Sequence, residues 1–209
     1  MPPTLAPVTL TGQFVQLEPL SLDHVDELTA AAAADRSSFG WTVVPDGTDA
    51  MRTYIAGLLA DHGALKVLPF AQRDLGTNAV VGCTRFLDPH WWRKRPAPDE
   101  VEIGGTWLGA AAQRTPINTE AKLLLLTHAF DSFGVWRVAI CTDERNTRSR
   151  TAIERIGASF EGVLRSHRVR SGEFGNPTGD VIARNTAIYS IVSADWPAVR
   201  ERLVARLES

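Results

Sequence analysis

Cysteine is scarce in this chain: two residues in 209, Cys83 and Cys141, neither in a CxxC pair nor beside a histidine. Each sits in an apolar run that reads as a strand, so the expectation is two buried free thiols, with no disulfide and no thiolate metal centre. The five histidines form no HxxxH or HxH pair, and no metal site is expected. No stretch approaches the roughly 20 apolar residues that a bilayer span requires. Met1-Pro2-Pro3-Thr4 has neither a basic nor an apolar leader region. A cytoplasmic location and no membrane partner are therefore expected. Charge of one sign is also in short supply: 22 basic against 24 acidic residues leave a formal net charge of -2. Nothing global draws in nucleic acid or an anionic bilayer, and any anion has to be held locally.

What is present is ordinary globular material. A hydrophobic content of 44% and a charged content of 22% fit a packed chain, and residues 1–209 read as a single domain without repeats or low-complexity linkers. Val8 to Leu17 alternates as a strand broken at Gly12. Ser21 caps a helix that carries Asp23 and Asp26 in its first turn and Leu22, Val25, Leu28 and Ala32 on one face. A second helix starts at Thr48 or Asp49, with Met51, Ile55, Leu58, Leu59 and His62 at helical spacing. Strands follow at Val67 to Gln72 and Ala79 to Leu87, joined through Gly76-Thr77-Asn78. Asp88 to Glu100 reads as an exposed loop, its Arg93-Lys94-Arg95 run solvated and its Trp91 and Trp92 anchoring it to the body. A nucleic-acid patch at that basic run is the weaker alternative.

Val101 to Leu108 is the next strand, followed by a helix from about Thr119 to Phe133 and a continuous apolar strand from Val135 to Thr142. Asn146 or Thr147 opens a helix that Gly157 stops at the C′ position. Phe160 to Val169 and Val181 to Val192 close the chain as a strand pair, with a short helix after Trp196-Pro197. The order is β α α β β β α β α β β. The β-α-β-α unit in its second half ties strands too close in sequence for separate domains.

Within that unit, Gln113-Arg114-Thr115-Pro116-Ile117-Asn118 joins a strand to a helix, where free amides and the positive end of the dipole coincide. The amides of residues 114 to 119, the Arg114 charge and the Thr119 hydroxyl could cradle a pyrophosphate. Equally, Asn118 or Thr119 could only cap a core helix.

These segments, taken in order from Leu10 to about Trp196, resemble the GNAT acyltransferase superfamily, and most closely its branch similar to the RimJ/RimL ribosomal-protein N-acetyltransferases. The resemblance rests on Ile103-Gly104-Gly105-Thr106-Trp107-Leu108 before a Q/R-x-x-G-x-G/A-like loop at Gln113 to Asn118. It continues through Asn118-Thr119-Glu120-Ala121-Lys122, Arg137 to Thr142, Asn146-x-x-Ser149, Ile156-Gly157-Ala158, Phe160 to Arg165 and Asn185 to Ser190. It implies an α/β (α+β in some schemes) GNAT fold: a mixed central sheet of about six to seven strands, a splay between two parallel strands, and about four flanking helices.

The resemblance also implies an acetyl-CoA-dependent N-acetyltransferase that transfers the acetyl group directly to a primary amine, either a protein N-terminus or a small molecule. A non-catalytic acyl-CoA-binding or interaction module is the alternative. Trp107 and Leu108 would meet the pantetheine arm and the thioester, with a strand amide near Leu108 as oxyanion donor. Gln113, Arg114, Thr115, Pro116, Ile117, Asn118 and Thr119 would form the pyrophosphate loop, and Asn146 with Ser149 would face the arm and the sulfur. Ser149 would protonate the leaving thiolate.

Departures from the family pattern are equally specific. Pro116 and Asn118 replace the loop glycines. Arg168 stands where the RimL-like enzymes carry a glutamate, and Ile153 where many members carry a tyrosine. Glu102 is then the first candidate for the general base and His167 the second. Tyr189 reads as core. Trp41 falls where related folds build the acceptor lid. Arg168, near Arg165 and His167, marks either an anionic acceptor or a solvated strand face. A homodimer through a sheet edge or the tryptophan loop would be compatible with this outline.

Overall fold

The computed structural model describes residues 5–169 and 182–208. Met1 to Thr4 and the start of the last strand at Val181, both read from the sequence above, lie outside them.

Helix starts follow local chemistry. The Ser21 side chain accepts from the Asp23 amide and His24 returns a bond to the Ser21 amide, a reciprocal cap that opens a 3-10 turn leading into α1 (Val25–Ala33). Helix α2 (Thr48–Gly63) buries Met51, Ile55 and Leu58 at helical spacing. Helix α3 (Ile117–Thr127) buries Ile117, Ala121 and Leu125 and continues as a π-turn over His128–Phe133, which Gly134 ends. Helix α4 (Thr147–Arg155) is capped by Asn146, whose side chain accepts from the Ser149 amide at 3.0 Å; Gly157, at φ 97, sits past its end in a conformation that few other residues adopt cheaply. Helix α5 (Trp196–Leu207) has Pro197 in its first turn and buries Trp196, Val199 and Leu203.

Among the described residues eight strands form one mixed sheet: β1 (Leu10–Thr11), β2 (Val15–Pro19), β3 (Val67–Asp74), β4 (Ala79–His90), β5 (Glu100–Leu108), β6 (Arg137–Asp143), β7 (Ser159–Val169) and β8 (Ala183–Val192). Their order is β1-β2-β3-β4-β5-β6-β8-β7. All neighbours are antiparallel except β5 and β6. The count exceeds the expected six to seven because Val8 to Leu17 folds into a hairpin, Leu10 pairing with Leu17. Its turn is held from outside: the buried Glu120 carboxylate accepts the amides of Gln13, Phe14 and Val15 at 2.6, 2.6 and 2.7 Å. Among the described residues five α-helices, against the expected four, complete the α/β architecture.

The sheet separates two cores. On one face α3, its π-turn and α5 pack on Leu68, Phe70, Phe86, Val101, Ile103, Val138, Ile140 and Tyr189. On the other, α1 and α2 pack on Val67, Ala71, Cys83 and Trp107. The second pair of helices reaches no further than β5, so the face formed by β5, β6, β8 and β7 is open on that side. That uncovered half of the sheet carries the site.

The β4–β5 connection is exposed as expected, but its arginines do more than meet solvent: both guanidinium groups, partly exposed, bond the Asp99 carboxylate, which is 0% exposed and also accepts the Trp92 and Arg93 amides at 2.7 Å each. Trp91 and Trp92 are 40% and 59% exposed; Trp92 stacks on Trp136 of the body, Trp91 donates to Pro96 O within the loop, and the buried carboxylate shares the anchoring. Burial alone would raise the Asp99 pKa, but the bonds from Arg93, Trp92 and Arg95 outweigh it and hold the carboxyl well below the usual range. Both cysteines are free, as expected, but only Cys83 is fully buried; Cys141 is half-buried.

Candidate active site

The parallel ladder between β5 and β6 is short. Glu100 pairs with Arg137, Val101 with Val138 and Glu102 with Ala139, and there it stops. Ile103 to Leu108 and Ile140 to Asp143 run on without each other, each strand keeping its antiparallel neighbour on the far side. The cause is visible in β5. Its register against β4 shifts between Cys83 and Arg85, and Gly105 adopts φ 57. A Cβ at Gly105 would lie 2.2 Å from the Arg85 guanidinium carbon, so the conformation favours glycine and any side chain there would displace the end of Arg85. Past this bulge β5 presents main chain to the seam with no strand to receive it. Such groups need another partner.

At the open end of the seam lies the turn into α3. Its left-handed residue is Arg114 (φ 62), whereas Pro116 is the N-cap at φ -60 and ψ -20. The loop therefore needs no glycine at 116 or 118, and proline suits the position because a helix entry leaves its N–H unused. The helix begins two residues before the expected Thr119, so Asn118 and Thr119 are first-turn residues and not caps. Of the first-turn amides, Glu120 bonds Pro116 O at 2.9 Å, while those of Asn118 and Thr119 have no helical acceptor. Thr115 donates its hydroxyl to Ala112 O and lies 3.4 Å from the Ile117 amide. The Asn118 Oδ1 is buried and has no partner. The donors at this turn, an exposed Arg114 guanidinium, first-turn amides and a positive dipole end, are those that a pyrophosphate requires.

Side chains knit this end together. Gln113 donates from Nε2 to Leu108 O and Ser38 Oγ at 2.8 Å each and accepts from Arg148 at 2.6 Å. It thus fixes the last β5 carbonyl, the loop after α1 and the start of α4. Trp107 is buried against Phe39 and its indole Nε1 has no partner; Leu108 is buried on the opposite face. Asn146 uses its carbonyl oxygen to cap α4, and Ser149 stands half-buried in the first turn. Trp41 sits under the Arg145 guanidinium, 4.8 Å from its ring centroid, and Arg145 pairs with Asp143 at the end of β6. The 34–47 loop therefore closes over the splayed end.

The other end of the seam opens onto a cavity of about 680 Å³ on the uncovered face. Glu100 and Glu102 from β5, Ala139 and Cys141 from β6, His167 and Arg168 from β7, and Lys66, Asp88 and His90 from the opposite wall line it. Glu102 is 5% exposed and clasped by Arg168 through both oxygens, at 3.0 and 2.6 Å; the Nη2 that donates to Glu102 Oε2 also donates to Asp88, at 2.8 Å. These bonds raise the Arg168 pKa, the Glu102 contact first. Burial, then the neighbouring Glu102 charge, pushes the Cys141 thiol up to about 12, so it remains protonated and is not a nucleophile at neutral pH.

Glu102, His167 and Arg168 are thus brought together. Two adjacent residues share one cavity because the β7–β8 register shifts between Leu164 and Arg168, with Ser166 at φ 47; a regular strand would send one of them away. Trp41, Ser149 and the loop residues belong to the other end. Tyr189 is fully buried, its hydroxyl bonded to Glu154 and Arg150.

Sequence reasoning missed Lys66, Asp88, His90 and Glu100, which come from separate elements and share no local pattern. It also missed Lys122. That amine lies buried beneath β5, donating to Thr106 Oγ1 at 2.7 Å, and burial lowers its pKa to about 7. Only its place among apolar neighbours on α3 hinted at it. No cluster of metal-binding side chains occurs among the described residues, and no helix among them is long and apolar enough to cross a membrane.

A family model described as an acetyltransferase (GNAT) domain matches residues 15–159. A GCN5-related N-acetyltransferase from Brucella melitensis superposes with a TM-score of 0.82 at 30% identity, covering 98% of this chain and 87% of that one. RimJ of Mycobacterium smegmatis, solved in complex with CoA-disulfide, superposes at 0.77 over 97% of this chain and 96% of its own, at 20% identity, and so speaks for the fold alone. A curated protein of Bacillus subtilis (strain 168), provisionally named ribosomal N-acetyltransferase YdaF, is 32% identical over 97 residues. That match spans 46% of this chain and 48%, about half, of the relative.

Proposed function

The chain belongs to the GNAT acetyltransferase domain family, and from that premise we propose that it is an acetyl-CoA-dependent N-acetyltransferase that passes the acetyl group directly to a primary amine. The observation that carries this proposal is the split seam: β5 and β6 part after Glu102 and Ala139, with anion-binding donors at one end and a cavity at the other. When bound, acetyl-CoA supplies the thioester. The main chain of Thr106 to Leu108 would receive its arm, Arg114, Thr115, Ile117, Asn118 and Thr119 its diphosphate, with Pro116 shaping that turn. Gln113 fixes the turn, and Asn146 presents Ser149.

An attacking amine must be neutral. Of the two candidate bases, Glu102 and His167, both oxygens of Glu102 are engaged by Arg168. We assign the proton to the exposed imidazole of His167, directly or through water, and assign the Glu102–Arg168 pair the task of holding that wall. A developing oxyanion is met by a β5 amide near Leu108, and the leaving thiolate by the Ser149 hydroxyl. Because Cys141 is held protonated, no acyl-cysteine step is invoked. Trp41 belongs to the lid over the cofactor end. A protein N-terminus or a small amine is the proposed acceptor class, and a cytoplasmic location goes with two unpaired thiols. A homodimer through the exposed tryptophan loop is compatible with this assignment.

Incubation with acetyl-CoA and a panel of primary amines and short peptides, read as thiol release, tests the activity. Release above the hydrolytic background with at least one amine is the expected result. Saturable acetyl-CoA binding without transfer to any amine would reduce the protein to a binding module.

A further inference from the structure

The cavity wall ends in an aromatic stack that acyl transfer itself does not require. His90 lies against Trp92 with ring centroids 5.6 Å apart and planes 18° from parallel. Trp92 lies against Trp136 at 6.3 Å and 18°, and the Arg93 guanidinium is 4.2 Å from the Trp136 ring centroid. Trp92 and Trp136 remain 59% and 47% exposed. Leaving that much indole in water forfeits apolar burial, and clustered exposed rings point to a ligand or partner.

The stack is also rigid. Asp99 holds the Trp92 and Arg93 amides, and Arg95 ties the same loop to the Phe133 and Gly134 carbonyls just before Trp136. The main chain that carries Trp92, and the turn just before Trp136, are therefore tied to one buried carboxylate and its arginine. Of the three rings, His90 is the one that lines the cavity, with Trp91 beside it. The charged groups of that cavity are already matched: Arg168 with Glu102 and Asp88, Arg137 with Glu100, Lys66 with Asp61. Ring contact is the recognition chemistry left unspent on this wall.

We propose that His90, backed by Trp92 and Trp136, is a stacking platform for a planar aromatic ring carried by the acceptor amine. This rests on acetyl transfer placing the acceptor in the cavity. A pre-ordered stack binds a further ring without the cost of ordering its own side chains, and offset stacking suits the spacing already present. The ring can belong to a free arylalkylamine or to the first side chain of a peptide; the chemistry is the same.

Tryptophan fluorescence titrations of the full-length protein decide the matter in two matched pairs: phenethylamine against 2-cyclohexylethylamine, and a phenylalanine-led tripeptide amide against its cyclohexylalanine counterpart. One pair is expected to favour the aromatic member by roughly 3- to 10-fold, and the responding pair identifies the source. His90→Ala brings that ratio close to one, while His90→Phe keeps it, because a ring without a basic nitrogen still stacks. If His90→Ala does not fold, Trp92→Leu carries the same test at an exposed position. Ratios near one in both pairs, an unchanged ratio in the alanine variant, or its loss in a folded His90→Phe would each overturn the platform. So would sedimentation showing a dimer that Trp92→Leu dissociates, with no aryl preference. The fluorescence readout is independent of turnover, so aryl-selective binding without acetylation would refute the transfer and leave the platform standing.

Discussion

The two ends of the β5–β6 seam solve opposite problems. At the paired end three residue pairs close the ladder, and charged side chains finish the wall: Glu102 with Arg168, Glu100 with Arg137, and Asp99 beneath with Arg93 and Arg95. At the splayed end the ladder is missing and main-chain groups, with a helix start, take over. Buried ion pairs give shape and orientation more than net stability, because desolvation offsets much of their attraction. Unpaired main chain is the costlier arrangement for an empty site, and it suits a ligand rich in amides and phosphate oxygens. The difference teaches which end handles which partner: the side-chain end the acceptor, the main-chain end the cofactor.

That division can be broken in order of expected effect. His167→Gln should lower kcat/KM by about 10²- to 10⁴-fold, the range of a lost proton acceptor, with acetyl-CoA affinity by calorimetry unchanged; equal loss of both would put His167 at the wrong end. Asp99→Asn leaves two guanidinium groups short of their shared anion and should lower the Tm by roughly 10 °C. Its pH dependence follows from sign. The folded carboxyl lies below its ordinary value, so its contribution is complete above the unfolded pKa of about 4 and is lost as pH falls below that. Melting curves of the variant should be flatter over this acid range.

Smaller effects sharpen the contrast. Gly105→Ala places a side chain at φ 57 against the Arg85 guanidinium and should cost on the order of 1–3 kcal/mol in urea unfolding. It should also weaken acetyl-CoA binding while sparing amine binding. Lys122 supplies the last prediction. Its folded pKa lies near 7 against 10.5 for the free side chain, so between those values the unfolded chain holds a proton that the folded chain lacks. Stability of the wild type should therefore rise with pH across that window, with a slope of at most about 1.4 kcal/mol per pH unit, and Lys122→Met should abolish the rise.

Much of this architecture was legible because it depends on neighbours in the chain. Ser21, Asn146 and Gly157 mark helix ends through bonds and dihedrals that span three or four residues, and the structure places them as expected. The misreadings share another cause. Gly12 looked like a break within one strand, but Glu120, more than a hundred residues away, folds that segment into a hairpin. Arg93-Lys94-Arg95 looked solvated because nothing local announces that Asp99 is buried. On a regular strand His167 and Arg168 would face opposite ways; the bulge at Ser166, which no local pattern announces, brings both to one cavity. Pro116 and Asn118 stood out as departures from the loop glycines, whereas the left-handed residue of this turn is Arg114 and Pro116 is the helix N-cap. Local rules reveal elements, and the site is made where distant elements meet.

Residue-resolved amide hydrogen exchange, with and without saturating acetyl-CoA, tests the central claim most directly. Added cofactor should slow exchange at Thr106 to Leu108 and at Ile117 to Thr119, and leave Val101 and Val138, already within the ladder, unaltered. Saturable binding accompanied by no added protection on either segment would contradict a cofactor held by the open half of the seam.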